Sequence, residues 1–161
     1  MRRMRKIVIA VALVTAGASA AGAAPQTATA ASDPQVKIAV TVSPESAAAG
    51  SDAAVTVTLT TKPGIKMNKY PKIKVQVPAV EGLVGLAEQS LGNPGPPAAD
   101  QLDANYFHGG IDPLTLTLHL DPHAAKGRHD IKAKLSYFYC VAASGYCAPA
   151  KTELSIPVTI R

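Results

Sequence analysis

The sequence predicts an all-β fold, an immunoglobulin-like sandwich of about seven or more strands. Three observations lead there. Apolar residues recur at every second position in run after run from Val36 to Ile160. The runs are rich in β-branched residues and leucine, and Pro, Gly and Asp clusters separate them. No stretch of the folded part reads as a helix. The buried tryptophan and long cysteine spacing of antibody domains are absent, so the likeness is one of architecture.

The first strand begins near Gln35, where Val36, Ile38, Val40 and Val42 alternate with polar or small residues. Pro44 to Ser51 reads as a loop. Val55, Val57 and Leu59 alternate with Thr56, Thr58 and Thr60 as a second strand, which Lys62-Pro63-Gly64 breaks. Ile65 to Pro71 is a connection of mixed character. Ile73, Val75 and Val77 form a strand whose other face carries Lys72, Lys74 and Gln76. Leu83, Val84 and Leu86 suggest a short strand. The stretch from Gly92 to Gly110 opens with Gly92-Asn93-Pro94-Gly95-Pro96-Pro97 and can be neither helix nor central strand there. A structureless loop of that length inside a domain is usually functional or disordered. Its aromatic pair, Tyr106-Phe107, implies that its far end touches something.

Leu114, Leu116, Leu118 and Leu120 form the next strand, and Asp121 to Gly127 turns the chain. Ile131, Ala133, Leu135, Tyr137 and Tyr139 alternate up to Cys140. After Cys147, Leu154, Ile156, Val158 and Ile160 alternate to the end, and Pro157 places that strand at an edge or a bulge.

Ahead of this domain, Arg2, Arg3, Arg5 and Lys6 precede the apolar run Ile7 to Ala16, and small residues follow. That three-part pattern is a secretory signal peptide over residues 1–23, with a flexible tether over 24–34 and the domain over 35–161. The expected destination is the periplasm or another exported compartment, with no membrane span left after cleavage. Four of the 16 basic residues lie in the leader and none of the 11 acidic ones do, so the remainder is close to neutral. No basic stripe interleaved with aromatics remains, which removes a nucleic-acid partner.

The chain has two cysteines, Cys140 and Cys147, on either side of the turn signal Ser144-Gly145. Export makes a disulfide the default state of an even pair. Six intervening residues let the two approach across the mouth of a β-hairpin. Two readings stay open. The bond is a permanent staple of a non-catalytic interaction domain, stabilising it by about 2–3 kcal/mol in the chain-entropy model. Or it is a reagent, which needs an exposed and attackable sulfur.

The run from Tyr137 to Pro149 resembles the active-site hairpin of the periplasmic N-terminal domain of the thiol:disulfide interchange protein DsbD. Tyr137 lies three before the first cysteine, Gly145 two before the second, and Pro149 two after it, and a final strand follows. The Pro63-Gly64 turn ahead of a strand is similar too. The spacing departs from the family's, with six residues between the cysteines where five are usual. The family's membrane and thioredoxin-like domains have no counterpart before Arg161, so the expectation is a stand-alone version. The resemblance implies an immunoglobulin-like sandwich and thiol–disulfide exchange through Cys140 and Cys147. It implies thioredoxin-like or DsbD-type partners, no cofactor, and a cap loop over the active site. By the same resemblance, Asp103, Tyr106 and Phe107 would be the cap residues and Cys147 the sulfur that engages partners.

Asp103, His129 and Asp130 are candidates for activating a cysteine by closeness in sequence alone. His108, His119, His123 and His129 do not share a helical face and read as surface residues, without a metal site. Met67, His108 and the cysteines would suit copper only if the fold gathered them. The lysines at 66, 69, 72 and 74 read as the solvated face of one strand.

Overall fold

A computed structural model describes residues 26–29, as backbone, and 34–161. The signal peptide expected over residues 1–23 lies outside the described residues. Among the described residues ten strands run in chain order: β1 (Gln26–Thr29), β2 (Val36–Ser43), β3 (Ser46–Ala47), β4 (Asp52–Thr61), β5 (Ile65–Met67), β6 (Ile73–Val77), β7 (Ala87–Leu91), β8 (Leu114–His119), β9 (Gly127–Val141) and β10 (Tyr146–Ile160). They form two sheets. One has the order β1-β2-β4-β8, and the other β3-β10-β9-β6-β7 with β5 also paired to β9. No helix among the described residues is long and apolar enough to cross a membrane.

The alternation read from the sequence sets the inner faces. Val40 and Val57 are register partners on β2 and β4, and Val55 faces Leu116 on β8. Their neighbours Thr56 and Thr115 point outward, with hydroxyls 3.2 Å apart. From the second sheet Ile73, Val75, Leu135, Leu154 and Ile156 turn inward, and all five are fully buried, as are Val40, Val57 and Leu118 opposite. The two faces make one continuous core, so the chain is the expected all-β sandwich. Each such side chain contributes about 1.5–3 kcal/mol through burial.

Three differences from the sequence reading have physical causes. Within the stretch read as a tether, Gln26–Thr29 pair antiparallel with β2 and cover what would otherwise be an open sheet edge. The short strand expected at 83–86 is a turn, in which Val84 bridges Val80 and Leu120. The strand follows it instead, as β7. Only Ala87 of its five residues is buried, so an edge strand wet on both sides gave no alternation to read. Pro157 fits its expected edge position, because β3 flanks β10 only at Thr159 and Ile160.

One feature of the second sheet positions the site. β9 has β10 on one side along its whole length. On its other side it has two short partners end to end: β6 opposite Lys134–Ser136 and β5 opposite Tyr139–Val141. β5 and β6 are thus one interrupted strand, broken between Asn68 and Lys72.

Candidate functional site

β9 and β10 are matched residue for residue, from Gly127 opposite Ile160 to Val141 opposite Tyr146. Ala142–Gly145 closes the hairpin, with the Gly145 amide donating to the Val141 carbonyl at 2.9 Å. Gly145 has φ 69°, the left-handed region that glycine enters without a Cβ penalty. Cys140 and Cys147 are direct register partners one pair inside the turn, and they are joined by a disulfide. Alternation places them on the outer face, while Tyr137 and Leu135 point into the core.

The two sulfurs have different surroundings. Cys140 is 4% exposed, whereas Cys147 lies at the surface. The cover over Cys140 comes from the far end of the long irregular segment, a one-turn 3-10 helix, Leu102–Asn105, followed by Tyr106 and Phe107. The Tyr106 hydroxyl lies 3.7 Å from the Cys140 sulfur. The side-chain oxygen of Asn68 lies 3.5 Å from the same sulfur, and Asn68 is itself buried.

The break between β5 and β6 is the socket for this cap. Asn68 still donates to the Phe138 carbonyl at 2.9 Å, and the cap pairs with the other edge of this segment, whose backbone groups face away from β9. The Phe107 amide donates to the Met67 carbonyl at 3.0 Å, and Asn68 pairs with Tyr106 as an extra antiparallel bridge. The Lys69 amide donates to the Asn105 carbonyl. The buried Asn105 side chain donates to the Tyr70 carbonyl and accepts from the Tyr70 amide, both at 2.9 Å. Asn93 donates to the Lys69 carbonyl at 2.8 Å. That close approach requires Gly92, since a Cβ there would sit 2.1 Å from the Lys69 oxygen.

Charge supplements the backbone anchor. Lys66, the register partner of Cys140, holds its ammonium 4.8 Å from the Tyr106 ring centre and 3.5 Å from Asp103 Oδ1. Lys69 Nζ donates to the Ala104 carbonyl at 3.2 Å and lies 5.8 Å from the Phe107 ring centre. His108 Nε2 lies 3.6 Å from Asp103 Oδ2. These pairs are exposed, so each adds less than about 1 kcal/mol.

Of the residues named from the sequence, Cys140, Cys147, Tyr106 and Asp103 come together. Phe107 belongs to the same cap but packs against the core. His129 and Asp130 do not join them. They lie at the opposite end of β9, about 33 Å away at the rise of a strand, with His129 Nε2 on the Ala125 carbonyl and Asp130 paired with Arg128. Nor is a copper set gathered. Met67 is buried opposite Tyr139 on the core face, the other side of the strand from Cys140. Among the described residues no group of three or more His, Cys, Asp or Glu side chains converges.

Lys66, Asn68, Lys69 and Asn105 are site residues that the sequence reading did not single out. Lys66 and Lys69, read as a solvated strand face, hold the cap. Their partners lie 35 or more positions away, beyond the reach of any local pattern. Asn68, between Met67 and Lys69, and Asn105, two residues after Asp103, carry no local mark of their burial. The arrangement presents one exposed sulfur of a disulfide to a thiol and keeps the other beneath a hydroxyl and an amide. The chain matches no known family model, no curated protein and no solved structure.

Proposed function

We propose that this protein is an exported thiol–disulfide exchange module, a counterpart of the DsbD N-terminal domain, working through Cys140 and Cys147. The observation that carries the reading is the unequal exposure of the two sulfurs, one at the surface and one beneath the anchored cap loop.

The exchange balances as follows. The thiolate of a partner dithiol attacks Cys147 Sγ, forming a mixed disulfide and breaking the Cys140–Cys147 bond. Cys140 leaves as a thiolate and takes up a proton. The partner's second thiolate then attacks its own sulfur in the mixed disulfide and releases Cys147 as a thiolate, which is protonated in turn. The partner is oxidised and this chain reduced by two electrons, and the reverse sequence returns them. Tyr106 has a role at the first step. Its hydroxyl is positioned to donate to the Cys140 sulfur as negative charge develops there. Asn68 serves both states, because its amide offers an acceptor to a thiol and, turned over, a donor to a thiolate.

The competing reading, a permanent staple in an interaction domain, has the burial of Cys140 in its favour. A redox titration with alkylation of free thiols separates the two. Exchange predicts a potential well above about −300 mV, whereas a value below it, with no opening by thioredoxin-like donors, would leave only the staple. The attack at Cys147 has its own check. In Cys140→Ser the remaining thiol should react with a disulfide reagent roughly tenfold or more faster than the thiol left in Cys147→Ser, because only the former is accessible. Equal rates would contradict the assignment.

A further inference from the structure

On the outer face of the second sheet, a groove of about 460 Å³ lies across β6, β9 and β10. Its size is within the range of ligand sites. It exists because Ser136, a small residue, stands directly between Lys74 on β6 and Lys151 on β10, so the two longer side chains wall a hollow. Lys134 closes one end, beside Gln76 and Glu153. Nearby carboxylates are already engaged: Glu88 holds Lys74 at 2.7 Å, and Glu153 holds Lys132 at 3.2 Å. Lys134 and Lys151 have no ion pair among the described residues.

The position of the groove matters as much as its charge. Along β9 and β10, Ser136, Phe138 and Cys140 occupy one face, as do Lys151, Pro149 and Cys147. The groove and the disulfide are therefore two ends of one surface, four residues or about 13 Å apart at the rise of a strand. The two unpaired cations, Lys134 and Lys151, are offset by one strand spacing and two residues, about 8 Å. Cations spread that widely match carboxylates set out along a peptide better than the oxygens of one phosphate.

We propose that the groove binds an acidic segment of the protein partner whose thiol attacks Cys147. The proposal rests on the exchange reading. It assigns the partner's chemistry: two or three carboxylates placed about four extended residues from the reactive cysteine. The segment's carboxylates pair with Lys134 and Lys151 and set the thiol against the exposed sulfur, leaving Lys74 with Glu88.

The test compares the rates at which two synthetic peptides, each with one cysteine, open the disulfide to a mixed disulfide and a free Cys140 thiol. One carries glutamates beginning four residues from the cysteine, and the other carries glutamines there. At low salt the glutamate peptide should react about tenfold or more faster, the advantage being lost at high salt. It should also vanish in Lys134→Glu/Lys151→Glu, while reduction by dithiothreitol is the same in both proteins. Equal rates for the two peptides, or an advantage that survives charge reversal, would overturn the proposal. If no thiol opens the disulfide, the exchange reading fails instead, and binding decides the groove by itself. A labelled, cysteine-free glutamate peptide should then bind about tenfold more weakly to the double variant. Equal binding, or displacement by inorganic phosphate at matched ionic strength, would sink the assignment to an acidic segment.

Discussion

Along the hairpin of β9 and β10, the half that includes Gly127–Leu135 and the half that includes Ser136–Val141 are built differently. In the first, Ile131, Ala133 and Leu135 on β9 and Leu154, Ile156 and Val158 on β10 turn into the sandwich and are buried. In the second, only Tyr137 reaches the core, Tyr139 and Val141 are half-buried, and Tyr146 is 61% exposed. There the cover comes from β5 and the cap loop, on the face away from the core. The same pair of strands thus provides rigidity at one end and access at the other. A rigid base holds two cysteines in register, and a local cover decides which of them is reached.

Substitutions in the two halves should separate stability from reactivity. The largest effect on stability belongs to Leu154→Ala, which empties a fully buried site and should cost about 2–5 kcal/mol in a urea titration. The rate at which dithiothreitol opens the disulfide under native conditions should stay near that of the parent. A change in that rate comparable to a cap substitution would break the comparison.

A smaller loss, about 1–3 kcal/mol, should follow Asn105→Ala, which removes both side-chain hydrogen bonds to Tyr70. Here reactivity should move too, because the cap loses its anchor: reduction should quicken and Cys140 should become open to alkylation once reduced. Unchanged accessibility would show that the main-chain bonds to Met67 and Lys69 hold the cap unaided. The smallest stability change, within about 0.5 kcal/mol, is expected for Tyr106→Phe, since the ring stays over Lys66 and only the hydroxyl goes. Its signature should be kinetic, a slower opening of the disulfide. Faster opening would mean that the hydroxyl acts only as a cover.

Most of the sandwich could be read from the chain, because burial on one face writes a period of two into β2, β4, β6, β8, β9 and β10. β7 could not, having one buried residue in five. β5 was hidden for another reason: three residues are too few to show a period. At the site, the cysteines and the aromatic pair stood out by rarity. Asn68 and Asn105 did not, because a buried polar residue looks the same in sequence as an exposed one until its partner is known. The basic groove was equally hidden, since Lys74, Lys134 and Lys151 come from three separate runs and meet only through strand register.

The way the cap is fastened bears on how freely its sequence can vary. Its bonds to Met67 and Lys69 use main-chain groups, and so does the bond from Asn93 to Lys69. Of the contacts that position it, Asn105 and Gly92 are tied to residue identity most directly. Leu102, Asp103 and Tyr106 can be rewritten while Gly92, Asn105 and the core-packed Phe107 keep the loop in its seat. That makes the cap an interchangeable part: a library varied at Leu102, Asp103 and Tyr106 on an unchanged sandwich would yield a graded set of shields over one disulfide.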